Sequence, residues 1–199
     1  MTDSSENPGA GGILVVCTAN ICRSPAAAAL LRAALGPDLP IVSAGTQALP
    51  GSRACPEASR LIAATGHPAP DAHSARPLDA SAVRAAALVL TAARVHRAAV
   101  VDLVPAAQRR TFTLPQAARL SAWLVRAGAE PPDADPRGRL AWLAGELDAA
   151  RGLVGRPAGA ELDDLPDPHL EPGNPDARHD VVIGRLAADV GALARWFAG

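Results

Sequence analysis

Apolar and polar positions switch between two periods along this chain. Residues 13–17 (ILVVC) are a continuous apolar run rich in β-branched residues, which predicts a strand buried on both faces. Residues 18–23 interrupt it as a short loop. Ser24 and Pro25 then open AAAALLRAAL, with Gly36 just beyond. Serine suits a cap, proline the first helical position and glycine the position past the end, so a helix follows directly. A second strand is expected at 40–44, stopped by Gly45, and a helix at 56–65, ended by Gly66. Residues 67–77, rich in Pro and His, read as loop. A helix over 79–86 leads into a buried strand in AALVLT; a helix over 94–103, a strand in RRTFTL and a helix over 115–127 follow. Strands alternating with helices predict an α/β fold, a parallel sheet covered on both faces.

The pattern changes after residue 127. PPDADPRG (131–138) is the clearest internal break, and RLAWLAGELDAARGL after it has helical apolar spacing. Residues 155–177 then form a long loop full of chain breakers, and loops of that length in a compact domain are usually functional or disordered. The last segment, 176–197, predicts a closing helix with Val182, Leu186, Val190, Leu193 and Phe197 on one side. No internal repeat is evident. Residues 1–12 are expected to be a flexible polar tail, and 13–199 a single domain. Trp123 and Trp142 flank the 127–160 region and are expected to bury it against the body.

Composition narrows the class. With 49% hydrophobic and 20% charged residues in 199, the chain is globular rather than disordered. Its formal net charge of -1 argues against a general nucleic-acid binder. Three cysteines, Cys17, Cys22 and Cys55, do not make a disulfide framework and favour a reducing compartment. The first apolar run is too short for a signal or membrane span, so a soluble cytoplasmic protein is expected. His67, His96 and His179 are scattered at no metal-ligand spacing, and no metal site is expected.

The chemistry concentrates in VVCTANICRSP. Cys17 ends a strand, Arg23 stands six positions on, and Ser24-Pro25 begin a helix. In such a loop the backbone N–H groups of Thr18, Ala19, Asn20, Ile21 and Cys22 can point inward around an oxyanion. The helix N-terminus adds partial positive charge. Arg23 can hold two phosphate oxygens at once through its planar fork, which a lysine could not do. The same field favours the thiolate of Cys17, and Ser24 can donate a hydrogen bond to it. That is the arrangement for covalent catalysis at phosphorus. Displacing a phenol also needs a proton donor, and DDLPDPHLEP offers Asp163, Asp164 and Asp167.

CTANICRSP closely resembles the signature loop of the low-molecular-weight protein tyrosine phosphatases, C-x5-R-S near the chain start. In the larger tyrosine phosphatases that loop lies deep within the chain, so its place after the first strand is informative. The resemblance runs from about residue 13 to the end, interrupted by extra sequence at 127–160. It implies a doubly wound four-stranded parallel sheet, here with an extra helical insertion before the general-acid loop. It implies a phosphomonoester hydrolase with Cys17 as nucleophile, Arg23 as phosphate clamp and no cofactor. The family carries its acid on a late Asp-Pro followed by an aromatic, which selects Asp167. His169 stands where the family usually has Tyr or Phe at the pocket rim, which bears on substrate preference.

Further roles rest on the same resemblance. Asn20 falls where the family has an Asn that shapes the loop, in a left-handed conformation that Asn tolerates. Ser43 and His73 resemble supporting members of that network. Ile21 would wall the site, where phosphoarginine-directed branches tend to have Thr, and so favours an aryl phosphate such as phosphotyrosine in proteins. Cys22 matches a neighbour able to form a reversible disulfide with the nucleophile. Cys55 matches no functional position. Two alternatives share the loop: arsenate reduction, disfavoured because no Cys follows Cys55, and a non-catalytic phosphate-binding regulatory domain.

Overall fold

A computed structural model describes residues 10–155, 157–170 and 174–198. The nine residues that open the expected tail lie outside the described residues.

Four strands form one parallel sheet in the order β2-β1-β3-β4: β1 Ile13–Cys17, β2 Ile41–Gly45, β3 Leu88–Thr91 and β4 Thr111–Thr113. The doubly wound arrangement follows from period-two side-chain alternation in strands buried on both sides. Ile13, Val15 and Cys17 face one hydrophobic cluster, and Leu14 and Val16 face the other. The second is completed by α3 (Ala80–Ala85) and α4 (Arg94–Leu103), through Val83, Val100 and their neighbours. The first holds α1 (Arg23–Leu35), α2 (Pro56–Ala64), α5 (Leu114–Arg126), α6 (Pro136–Ala150) and α7 (Pro175–Ala198). Single 3-10 turns lie at Pro105–Arg110 and Ala160–Asp163.

Two boundaries differ from the sequence reading. Gly11 and Gly12 are not tail. Gly11 N–H donates to Ala85 O at 2.8 Å, and Gly12 O accepts from Ala87 N at 2.9 Å. A Cβ on Gly12 would lie 1.9 Å from the carbonyl oxygen of Pro40, so only glycine lets the chain enter β1 so close to its neighbour. Ser24 does not cap α1 either. The helix starts two residues earlier with Cys22 at its N-cap and no side-chain cap bond, and the Ser24 hydroxyl is engaged in the loop.

The helix in the 127–160 region packs inward through Leu140, Leu143, Leu147 and Ala150, all buried. Asp135 caps it by accepting from Gly138 N at 2.7 Å. Trp142 stacks on Trp196 of α7, ring centroids 5.1 Å apart. The Arg151 guanidinium lies 3.8 Å over the Phe112 ring, and burial lowers its pKa to about 10. Among the described residues no helix is long and apolar enough to cross a membrane.

Candidate active site

The loop between β1 and α1 wraps over the carboxyl end of the central strands, where open parallel sheets bind ligands. Cys17 is buried at the end of β1, and its Sγ lies 3.0 Å from Ser24 Oγ. Asn20 is the one described non-glycine residue with a left-handed backbone, φ 55°. Its fully buried side chain ties three segments together. Nδ2 donates to Ser24 Oγ at 2.8 Å and to Ser43 Oγ at 2.9 Å, and Oδ1 accepts from Arg76 N at 3.0 Å. The carbonyl of Asn20 lies 2.6 Å from His73 Nε2. Burial pushes the His73 pKa down. Ser43 and His73 therefore both meet the loop at Asn20.

Gly45 supplies the other support. Thr46 N–H donates to Cys17 O at 3.0 Å, and Gln47 N–H to Thr18 O at 2.9 Å. A Cβ on Gly45 would lie 2.5 Å from Thr18 O and 2.8 Å from Asn20 N. The end of β2 thus braces the loop at a distance that excludes any side chain.

Arg23 is buried and holds three groups. It donates to Leu165 O at 3.1 Å and to Thr18 Oγ1 at 3.1 Å, and it pairs with the Asp167 carboxylate. Of the three candidate acids, only Asp167 reaches this point. Asp164 pairs with Arg94 and Asp163 with Arg119. Both pairs immediately precede Leu165, whose N–H donates to Ala92 O at 2.8 Å, and together these contacts fix the approach of the acid loop to the sheet. The other Asp167 oxygen accepts from His169 N–H at 3.2 Å. A cleft of about 20 Å³ is lined by Cys17, Ala19, Ile21, Cys22, Arg23, Asp167 and His169. That is room for roughly one water while Asp167 is paired with Arg23. A larger cavity of about 560 Å³ lies behind the loop, lined by Arg32, Ser43, His73 and Arg76 rather than by Cys17.

Sequence reasoning missed His96. It is buried on α4, 2.9 Å from Thr18 Oγ1, and burial together with the Arg23 charge lowers its pKa to about 4. Neutral at physiological pH, it continues a chain from Arg23 through Thr18. Its separation from the loop by 78 residues left no local signal.

Cys55 and His179, 124 residues apart in sequence, meet beside the loop. Cys55 sits at the N-cap of α2, its N–H donating to Ile21 O at 2.7 Å. Its Sγ lies 3.4 Å from His179 Nε2. His169 meets His179 edge-on, centroids 4.9 Å apart. One donor atom from each of Cys22, Cys55, His169 and His179 lies within 4.8 Å of every other. The hydrogen bond between the thiols raises the pKa of Cys22 and lowers that of Cys55 to about 6. All three cysteines are free.

The sheet order and this loop define a doubly wound α/β protein with a cysteine, an arginine and an aspartate gathered in one cleft at the end of the first strand. The chain belongs to the low molecular weight phosphotyrosine protein phosphatase family, whose model matches residues 12–122. A protein-arginine-phosphatase of Geobacillus stearothermophilus is 39% identical over 104 residues, 52% of this chain and 69% of that one. The low molecular weight protein-tyrosine-phosphatase Wzb of Salmonella typhi is 41% identical over 93 residues, 47% of this chain and 61% of its own length. The solved YwlE arginine phosphatase from Geobacillus stearothermophilus superposes with a TM-score of 0.64 at 27% identity, covering 94% of this chain and 92% of that one. Asp167 lies beyond the segment that the family model matches.

Proposed function

We propose that the chain hydrolyses phosphomonoesters on proteins, phosphotyrosine foremost, through a phosphocysteine on Cys17. The observation that carries this reading is the single cleft shared by Cys17, Arg23 and Asp167 at the carboxyl end of β1. The phosphoryl group displaces Asp167 from Arg23, whose fork then takes two of its oxygens. The Cys17 sulfur attacks phosphorus; the S–P bond forms as the P–O bond to the phenol breaks. Asp167, now facing an anion instead of a guanidinium, carries a proton and gives it to the departing oxygen. In the second step Asp167 takes a proton from water, whose oxygen attacks phosphorus and releases Cys17 with inorganic phosphate. Asn20, Ser43, His73 and Ser24 hold the loop and the sulfur in place.

Ile21 lines the cleft and favours a flat aryl ester, while the likeness to an arginine phosphatase makes phosphoarginine the competing substrate. The test is release of p-nitrophenol from its phosphate, with phosphotyrosine and phosphoarginine peptides compared in parallel. Cys17→Ser is expected to be inactive. Asp167→Ala is expected to lose about 10²–10⁴-fold with poor leaving groups, the range of a general acid. A wild-type protein that binds phosphate but releases no nitrophenol would leave a binding domain instead. We further propose that 13–199 acts as one domain, with 127–160 an insertion that extends the first hydrophobic cluster, and that the protein is cytoplasmic.

A further inference from the structure

We propose that Cys22, Cys55, His169 and His179 form a tetrahedral site for a borderline-soft divalent cation, Zn²⁺ foremost, that pins the acid loop to the phosphate loop. The donor set is two thiols and two imidazoles, the composition of closed zinc sites. The four donors come from four places in the fold: the α1 N-cap, the α2 N-cap, the acid loop and the first turns of α7. Their atoms already lie within 4.8 Å of one another. Around a tetrahedral zinc, with Zn–S ~2.3 Å and Zn–N ~2.0–2.1 Å, donor separations are about 3.3–3.8 Å. Cys55 Sγ and His179 Nε2 stand at 3.4 Å, and the other pairs, all within 4.8 Å, need about 1.5 Å of contraction or less. Cys22, Cys55 and His179 are buried, whereas His169 is exposed. Three donors are thus preset, and an exposed fourth closes the site from solvent.

Binding forms two Zn–S and two Zn–N bonds, releasing the Cys22 proton and any that Cys55 still carries, with no change of oxidation state. Two thiolates neutralise the cation, so the occupied half-buried site is neutral beside Arg23. The consequence for catalysis rests on the phosphatase reading. His169 is two residues from Asp167, with Pro168 between them. A metal on His169 restrains Asp167 from leaving Arg23, so occupancy lowers turnover. It also takes Cys22 out of any disulfide with Cys17.

The test is titration of the full chain with Co²⁺, read by thiolate-to-cobalt charge transfer and by the intense visible bands of tetrahedral cobalt, then displacement with Zn²⁺. One equivalent is expected, in wild type and equally in Cys17→Ser. Cys55→Ser and His169→Ala are each expected to weaken binding at least 100-fold; His169 is exposed, so that variant keeps the fold. Loss of the bands in Cys17→Ser with retention in Cys55→Ser would overturn the proposal, as would no binding at all. With p-nitrophenyl phosphate, one equivalent of Zn²⁺ is expected to lower wild-type turnover at least 10-fold, reversed by chelator, and to spare Cys55→Ser. Equal inhibition of both would place the inhibitory metal on Cys17 and overturn the pinning. A metal-free wild type without activity would sink the phosphatase reading while leaving the cobalt result intact.

Discussion

Asn20 concentrates more of the site's geometry than any other single side chain. Its left-handed backbone aims the loop, and its amide joins α1, β2 and the segment before α3. Removing it leaves the buried Ser43 Oγ unpaired, at a cost of about 1–3 kcal/mol, and takes the side-chain acceptor from the less buried Arg76 N–H. Displacement of a catalytic group by ~1 Å can lower rate 10²-fold. Asn20→Ala is therefore expected to lose about 10²-fold in kcat on p-nitrophenyl phosphate, with a lowered melting temperature. Ser43→Ala, which removes only one contact, is expected to lose less. An Asn20→Ala variant with wild-type kcat would show that the loop holds its own shape. Much of this was legible in CTANICRSP, because those residues are neighbours in sequence. The contact of Ser24 with Cys17 was legible there too. Its bond from Asn20 was not: the helix-start position suggests a cap, and the folded loop turns the hydroxyl away from that role.

At the level of elements, the site depends on two close approaches to the β1–α1 loop. One is the end of β2. Gly45→Ala puts a methyl against backbone atoms of Thr18 and Asn20 that cannot swing aside. Overpacking of this kind costs about 1–3 kcal/mol. Here the strain falls on the loop, so kcat/KM is expected to drop further than stability alone implies; comparison of melting temperature with kinetics would check it. The other approach is the acid loop, anchored by Arg94–Asp164 and Arg119–Asp163 just before Leu165. The order of strands and helices could be read from hydrophobic period, since each element carries its own pattern. The convergence of Cys22, Cys55, His169 and His179 could not. Those residues sit on separate elements, and only tertiary packing makes them neighbours. His96 escaped notice for the same reason.

The whole molecule carries two titrating groups whose effects on stability oppose. Burial lowers the His96 pKa from 6.5 to about 4. Its contribution is complete above pH 6.5 and is lost as pH falls toward 4, because the unfolded chain takes up the proton first. Burial raises Asp189 on α7 from 3.8 to about 6, and its Oδ2 has no hydrogen-bond partner among the described residues. Asp189 favours folding below pH 3.8, and that contribution is lost as pH rises through 6. Asp189→Asn is thus expected to melt above wild type at pH 7, with the difference shrinking as pH is lowered from 6 to 4. An advantage that persists unchanged at pH 4 would contradict the assignment. The 127–160 region belongs to the same core: Leu143→Ala is expected to destabilise the whole chain by about 2–5 kcal/mol, measured by denaturant unfolding. All of this serves to hold one sulfur beneath one guanidinium. The most direct measurement is acid quench of the chain during turnover of an aryl phosphate, followed by peptide mapping. A single phosphate on Cys17, absent from Cys17→Ser, is the result expected. Undiminished turnover by Cys17→Ser, with no phosphate on the Cys17 peptide of the wild type, would contradict it.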